Sequence, residues 1–124
     1  VVVTERHARG RLAEEFVAAE LARNGYEILG RNVRVGALEL DIVARNGAVL
    51  VIVEVRTRGA RSWGSALESV TAEKQRRLRR ASEILWSRRF SRWPSLERVR
   101  FDVASVELVP DSTPRLTYVE AAFV

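Results

Sequence analysis

The sequence predicts an α/β domain, a central mixed sheet flanked by helices, and three observations carry that reading. Val49-Leu50-Val51-Ile52-Val53 is apolar at every position, as a strand covered on both faces must be. Asn46-Gly47 stands just upstream and is the residue pair that tight hairpins favour. Two segments with helical spacing of apolar residues are interleaved with the strand-like segments, an order that stacks helices on a sheet.

Each element follows in turn. The first helix is expected from about His7 to Asn24, with Gly25 placed to close it. Tyr26 to Val35 reads as a strand, and Ala37–Arg45 and Ala48–Arg58 form the hairpin around Asn46-Gly47. A loop from Gly59 to Ser65 carries Arg61 and Trp63. Thr71 is a suitable N-cap for a second helix reaching about Arg89. Val99 to Val109 alternates apolar with polar residues, as a half-buried strand does. Pro110, Asp111 and Pro114 turn the chain before a final extended segment, Leu116–Phe123. No linker interrupts this order, so residues 1–124 are expected to form one domain.

Composition narrows the function. The 124 residues are 47% hydrophobic and 30% charged, a globular balance. With no cysteine, the chain can build neither a disulfide framework nor a thiolate metal site, and with a single histidine, His7, in a basic segment, a histidine-dependent triad or zinc centre is not expected. No apolar run is long enough to span a bilayer, and a cytoplasmic location is expected. A net charge of +5, supplied almost wholly by arginine, favours a polyanionic partner, nucleic acid before acidic membrane. Arg58, Arg61, Lys74, Arg76, Arg79 and Arg80 are the candidate phosphate contacts. Trp63, Trp86 and Trp93 lie nearby in sequence and could stack on bases, although tryptophan more often packs in a core.

The hairpin holds the candidate chemistry. Strand alternation puts Glu39, Asp41 and Val43 on one face and Ile52, Glu54 and Arg56 on a shared face of the next strand. A two-residue loop of Asn46-Gly47 would pair Arg45 with Ala48, which sets Glu39 opposite Glu54 and Asp41 diagonally beside it. Like charges so placed destabilise a sheet unless a cation or a metal ion offsets them. Arg56 is one such cation, and a divalent metal, Mg²⁺ or Mn²⁺, is the other. The competing reading is a structural salt-bridge cluster at a solvated sheet edge. Glu14 lies in line with Val17, Ala18 and Leu21, and Lys74 with Leu78, Ala81 and Leu85. Each charge can therefore face the sheet or snorkel outward at a helix end.

Asp41, Glu54 thirteen residues on, and Arg56, preceded by a helix bearing Glu14, resemble the PD-(D/E)XK nuclease superfamily. The longer string of Gly10-x-x-x-Glu14, Gly25-Tyr26, Arg31-Asn32, Glu39-Leu40-Asp41, Val53-Glu54-Val55-Arg56-Thr57-Arg58, Lys74-Gln75 and Arg100-Phe101-Asp102-Val103 resembles the bacterial YraN-like uncharacterised family. That family is similar to archaeal Holliday-junction resolvases. The resemblance covers roughly Gly10 to Val106 and implies a restriction-endonuclease-like core. In that core Asp41 and Glu54 would ligate Mg²⁺, Glu14 would assist from the first helix, and residue 56 would handle the attacking water. It also implies a homodimer. Two positions depart from the family pattern: Leu38 stands where glycine is usual, and Arg56 where lysine is usual. Arginine keeps its proton, so it fills a water-activating role less readily. The expected function is a divalent-metal-dependent nuclease acting on DNA rather than RNA, on branched or damaged substrates. The alternative is a catalytically weak or inactive nucleic-acid-binding module in a DNA-processing complex.

Overall fold

The computed structural model describes residues 5–58 and 70–124. In chain order it comprises α1 (Glu5–Arg23), β1 (Glu27–Val35), β2 (Leu38–Asn46), β3 (Val49–Arg58), α2 (Ala72–Leu85), a π-helical turn (Trp86–Phe90), β4 (Arg98–Glu107) and β5 (Arg115–Phe123). The five strands form one sheet in the order β1-β2-β3-β4-β5. All neighbours are antiparallel except β3 and β4, which run parallel. A parallel pair needs a crossover, and the segment containing α2 supplies it. The expected α/β architecture with a mixed sheet is thus present. No helix among the described residues is long and apolar enough to cross a membrane.

Local chemistry sets the helix ends. Gly25 adopts φ +87°, a backbone geometry open to glycine at little cost, and it turns the chain from α1 into β1. Thr71 caps α2, its hydroxyl accepting the Lys74 N–H. Leu78, Ala81, Ser82 and Leu85 form the buried stripe of that helix.

The sheet divides the core in two. Leu50, Ile52, Phe101 and Val103 pack with Leu78, Ala81 and Leu85 beneath α2. Val51, Val53, Ala104 and Val106 pack with Ala13, Val17 and Leu21 beneath α1. β3 therefore buries alternate residues under different helices, which explains its unbroken apolar run. Glu54 continues that alternation onto the α2 side.

The hairpin register differs from the sequence expectation. Asn46 pairs with Val49 and Arg45 with Leu50, so the two loop residues are Gly47-Ala48, not Asn46-Gly47. Gly47 takes φ +60° while Asn46 and Ala48 keep negative φ, the demand of a type II′ turn rather than the I′ turn that Asn-Gly favours. A two-residue slip follows along β3. Glu39 no longer opposes Glu54, and β2–β3 pairing ends at Ile42–Val53. Alternation breaks at the same place, since Leu40 and Val43 both pack beneath α2 while Ile42 packs beneath α1. The two central strands part where the acidic residues begin.

A polar network fastens the outer strands. Asp102 on β4 is fully buried. Its carboxylate accepts from Arg100 Nε (2.9 Å) and Nη2 (2.8 Å), from the Tyr118 hydroxyl (2.5 Å) and from the Ala121 N–H (2.9 Å). The same Arg100 Nη2 donates to the Tyr26 hydroxyl at 2.8 Å, which ties β4 and β5 to the start of β1.

Candidate active site

The parting of β2 from β3 leaves a gap that Asp41 fills. Its Oδ2 accepts the Val55 N–H at 2.8 Å, so a side chain takes the ladder bond that the β2 backbone no longer makes. Glu54, the residue before Val55, is 4% exposed, and its carboxyl and that of Asp41 influence each other's ionisation. Oε1 of Glu54 faces two cations, Lys74 Nζ and Arg56 Nη1, each at 3.7 Å. Buried Oε2 of Glu54 has no hydrogen-bond partner, nor has buried Oε2 of Glu14. Two carboxylates thus meet from neighbouring strands, with a lysine reaching in from α2.

Electrostatics match this geometry. Burial pushes the Glu54 carboxyl up to about 7, and the Asp41 charge pushes the same way. Lys74 and then Arg56 oppose that rise. Burial also raises Asp41, against the Val55 N–H and Lys74. Glu14 on α1 is raised by burial and by Asp41, while the Asn32 side chain stabilises its ionised form. A group that keeps acidic protons near neutrality in a site with unused oxygen lone pairs suits a displacing cation.

Of the residues expected from the sequence, Asp41, Glu54, Arg56 and Lys74 come together, and Asp41 acts on Glu14 of α1 through its charge. Lys74 joins the group as a partner of Glu54. Glu39 does not join them. It is exposed and acts on Asp41 and Glu14 only through its charge, because the register slip carries it past Glu54. Among the described residues no three acidic or imidazole side chains form a ready metal cage. The fit is instead to a hard divalent ion held by Asp41 and Glu54 with retained waters, a common mode for Mg²⁺. Asn32, at φ +51° in β1, is a site residue that sequence reasoning misses. Its place beside Glu14 has a sequence signal only in the Arg31-Asn32 pair.

The basic surface is partly as expected. Arg76 and Arg80 are exposed on the side of α2 away from its buried stripe. Arg79 is half-buried and donates to the Val124 carbonyl oxygen at 3.0 Å. Arg77 is held by Glu73 at 2.7 Å. Arg58 ends β3, and Arg61 and Trp63 lie outside the described residues. Trp93 packs edge-on against Phe90, ring centres 5.0 Å apart, so it serves the core margin rather than a stacking platform. Half-buried Trp86 lines an open cavity of about 450 Å³ with Arg79, Ser82, Glu83, Arg98 and Phe101.

Comparison with known proteins places every one of these site residues inside one family match. The model of the uncharacterised protein family UPF0102 matches residues 13–106. A UPF0102 protein of Sorangium cellulosum is 52% identical over 118 residues, covering 95% of this chain and 82% of its own. One from Symbiobacterium thermophilum is 43% identical over 114 residues, with coverage of 92% and 94%. One from Pseudomonas aeruginosa is 42% identical over 116 residues, with coverage of 93% and 91%.

Proposed function

The chain belongs to the uncharacterised protein family UPF0102, and on that premise we propose that it is a divalent-metal-dependent nuclease acting on DNA, with a restriction-endonuclease-like core. The observation that carries this reading is the Asp41–Glu54 pair at the split between β2 and β3, with an unsatisfied Glu54 oxygen and two cations against it. A salt-bridge cluster at a solvated edge would have no reason to bury Glu54. It would also satisfy the carboxylate rather than leave one oxygen bare.

Asp41 and Glu54 would hold Mg²⁺ or Mn²⁺, which when bound lowers the pKa of a coordinated water and offsets charge on the phosphate. The chain's own residues then have separable tasks. The Val55 N–H fixes the Asp41 carboxylate, so one ligand is pre-placed. Glu14 adds negative charge from α1. The α2 arginines, Arg76 and Arg80 foremost, would follow a phosphate backbone without reading bases.

The test is a cleavage screen with Mn²⁺ and Mg²⁺ over labelled duplex, flap, four-way-junction and single-stranded DNA, with RNA counterparts. Wild type should cut at least one DNA substrate, and Asp41→Asn should reduce the rate by a thousandfold or more, on the order of losing a metal-held nucleophile. Asp41→Asn should also abolish the rise in melting temperature that Mn²⁺ gives the wild type by mass action. Equal metal-dependent stabilisation of the two proteins would refute the assignment.

One observation favours the second reading, a binding module without turnover: Arg56 stands where the nuclease motif has lysine. Both readings require electrostatic nucleic-acid binding. Replacing Arg76, Arg79 and Arg80 together with alanine should weaken binding to unrelated sequences about equally. It should also flatten the salt dependence, by roughly 0.9 in log–log slope for each phosphate that is no longer neutralised. A dissociation constant that does not change with salt would rule out this partner class.

A further inference from the structure

Two cations share one oxygen of Glu54, yet their settings differ. The Lys74 side chain is 30% exposed and that of Arg56 is 41% exposed. Lys74 is the strongest cation acting on both Asp41 and Glu54, whereas Arg56 figures only at Glu54. The Lys74 ammonium, reaching in from α2, is the more shielded of the two cations.

The backbone around Lys74 is firmly held. It is in the first turn of α2, and its own N–H is bonded to Thr71 Oγ1 at 3.2 Å. The neighbouring Gln75 side chain donates to the Val70 carbonyl at 3.1 Å. One turn on, Leu78 is 1% exposed, so the lysine stem rises from the buried stripe of the helix. A site on rigid elements keeps its geometry better than one on loops.

We infer that Lys74, from α2, is the catalytic cation that meets the attacking water and the scissile phosphate, and that Arg56 grips substrate phosphate away from the reacting atoms. This rests on the nuclease reading above. An ammonium has three donors about one compact charge. It can bond Glu54 Oε1, a water oxygen and a non-bridging phosphate oxygen together. The guanidinium is a planar fork suited to two oxygens of a single phosphate. In the hydrolysis, the water oxygen forms a bond to phosphorus as the bond from phosphorus to the departing sugar oxygen breaks. The water gives up a proton to solvent, the departing oxygen takes one up, and Lys74 keeps its own protons throughout. Its contribution is charge and direction.

The experiment measures kcat and KM separately for Mn²⁺-dependent cleavage of labelled junction and duplex DNA, with melting temperatures for every variant. Lys74→Ala should lower kcat by about a hundredfold with little change in KM, the scale of losing one donor aimed at transition-state charge. Lys74→Arg should recover only a small part of that loss. Arg56→Ala should act mainly on KM. If Lys74→Ala melts early, Lys74→Met replaces it, since its stem retains the packing along α2. Cleavage that requires Asp41 but proceeds at the wild-type rate in the Lys74 variants overturns this inference alone. So does an Arg56→Ala variant that shows the kcat deficit expected of Lys74→Ala. Wild-type cleavage that is absent, or indifferent to Asp41→Asn, overturns the nuclease reading and this inference with it.

Discussion

Asp102→Ala should lower the free energy of unfolding by about 3–5 kcal/mol, the cost of leaving one half of a buried ion pair without its partner. The carboxylate is fully buried and accepts four hydrogen bonds, two of them from Arg100. Truncation leaves the Arg100 guanidinium, the Tyr118 hydroxyl and the Ala121 N–H to find water in a place where little is available. Tyr118 itself shows the strength of the setting: burial, and then Asp102, hold its phenol well above the ordinary tyrosine range. Because small domains are stable by only about 5–15 kcal/mol, the variant should lose a large share of its stability and melt well below wild type. Glu73→Ala is the control. It breaks the exposed Arg77–Glu73 pair on α2, so urea melts should shift little. A loss below about 1 kcal/mol for Asp102→Ala would mean that water reaches the network and that β5 is held by other means.

That network marks the limit of what is legible in the sequence. The elements are readable because local chemistry agrees with the fold: Gly25 ends α1, Thr71 caps α2, and the run from Val49 to Val53 lies between two helices. The candidate site is readable in part. Asp41, Glu54 and Glu14 stand out by spacing and as carboxylates set in apolar surroundings. The register does not, because Asn-Gly promises a turn but does not say which pair of residues occupies its centre. Gly47 alone takes positive φ, and that choice moves Glu39 out of the site. The role of Lys74 is open in the sequence for a similar reason. Helical period aligns it with Leu78, but a flexible lysine can snorkel as readily as it turns inward. Only the position of Glu54 on the α2 side of the sheet decides between the two. Asp102 lies inside a recognisable motif without an evident role, since its network draws on Tyr118 near one end of the sequence and, through Arg100, on Tyr26 near the other.

Glu54→Gln should make the metal-free protein more stable than wild type at pH 8, and less responsive to pH below it. The Glu54 carboxyl is pushed from 4.5 up to about 7, first by burial and then by Asp41. A carboxyl raised on folding binds its proton more tightly in the folded state, so it contributes stability below its unfolded pKa and loses that contribution as pH rises. With divalent ions chelated, the contribution is complete below about pH 4.5 and is lost between there and about pH 7. The difference in pKa corresponds to about 3 kcal/mol at 1.36 kcal/mol per unit. Asp41 and Glu14, both raised by burial, slope the same way. Glutamine holds a neutral group of the same size at position 54 and removes that part of the slope, so its melting temperature should change less from pH 5 to pH 8. Adding Mn²⁺ at pH 8 should then reverse the order. Wild type presents two ionised carboxylates to the metal and gains stability with concentration, while Glu54→Gln presents one and gains little. Parallel pH profiles for the two proteins in chelator would show that Glu54 is ionised across the whole range, with Lys74 and Arg56 alone sufficient to keep it so.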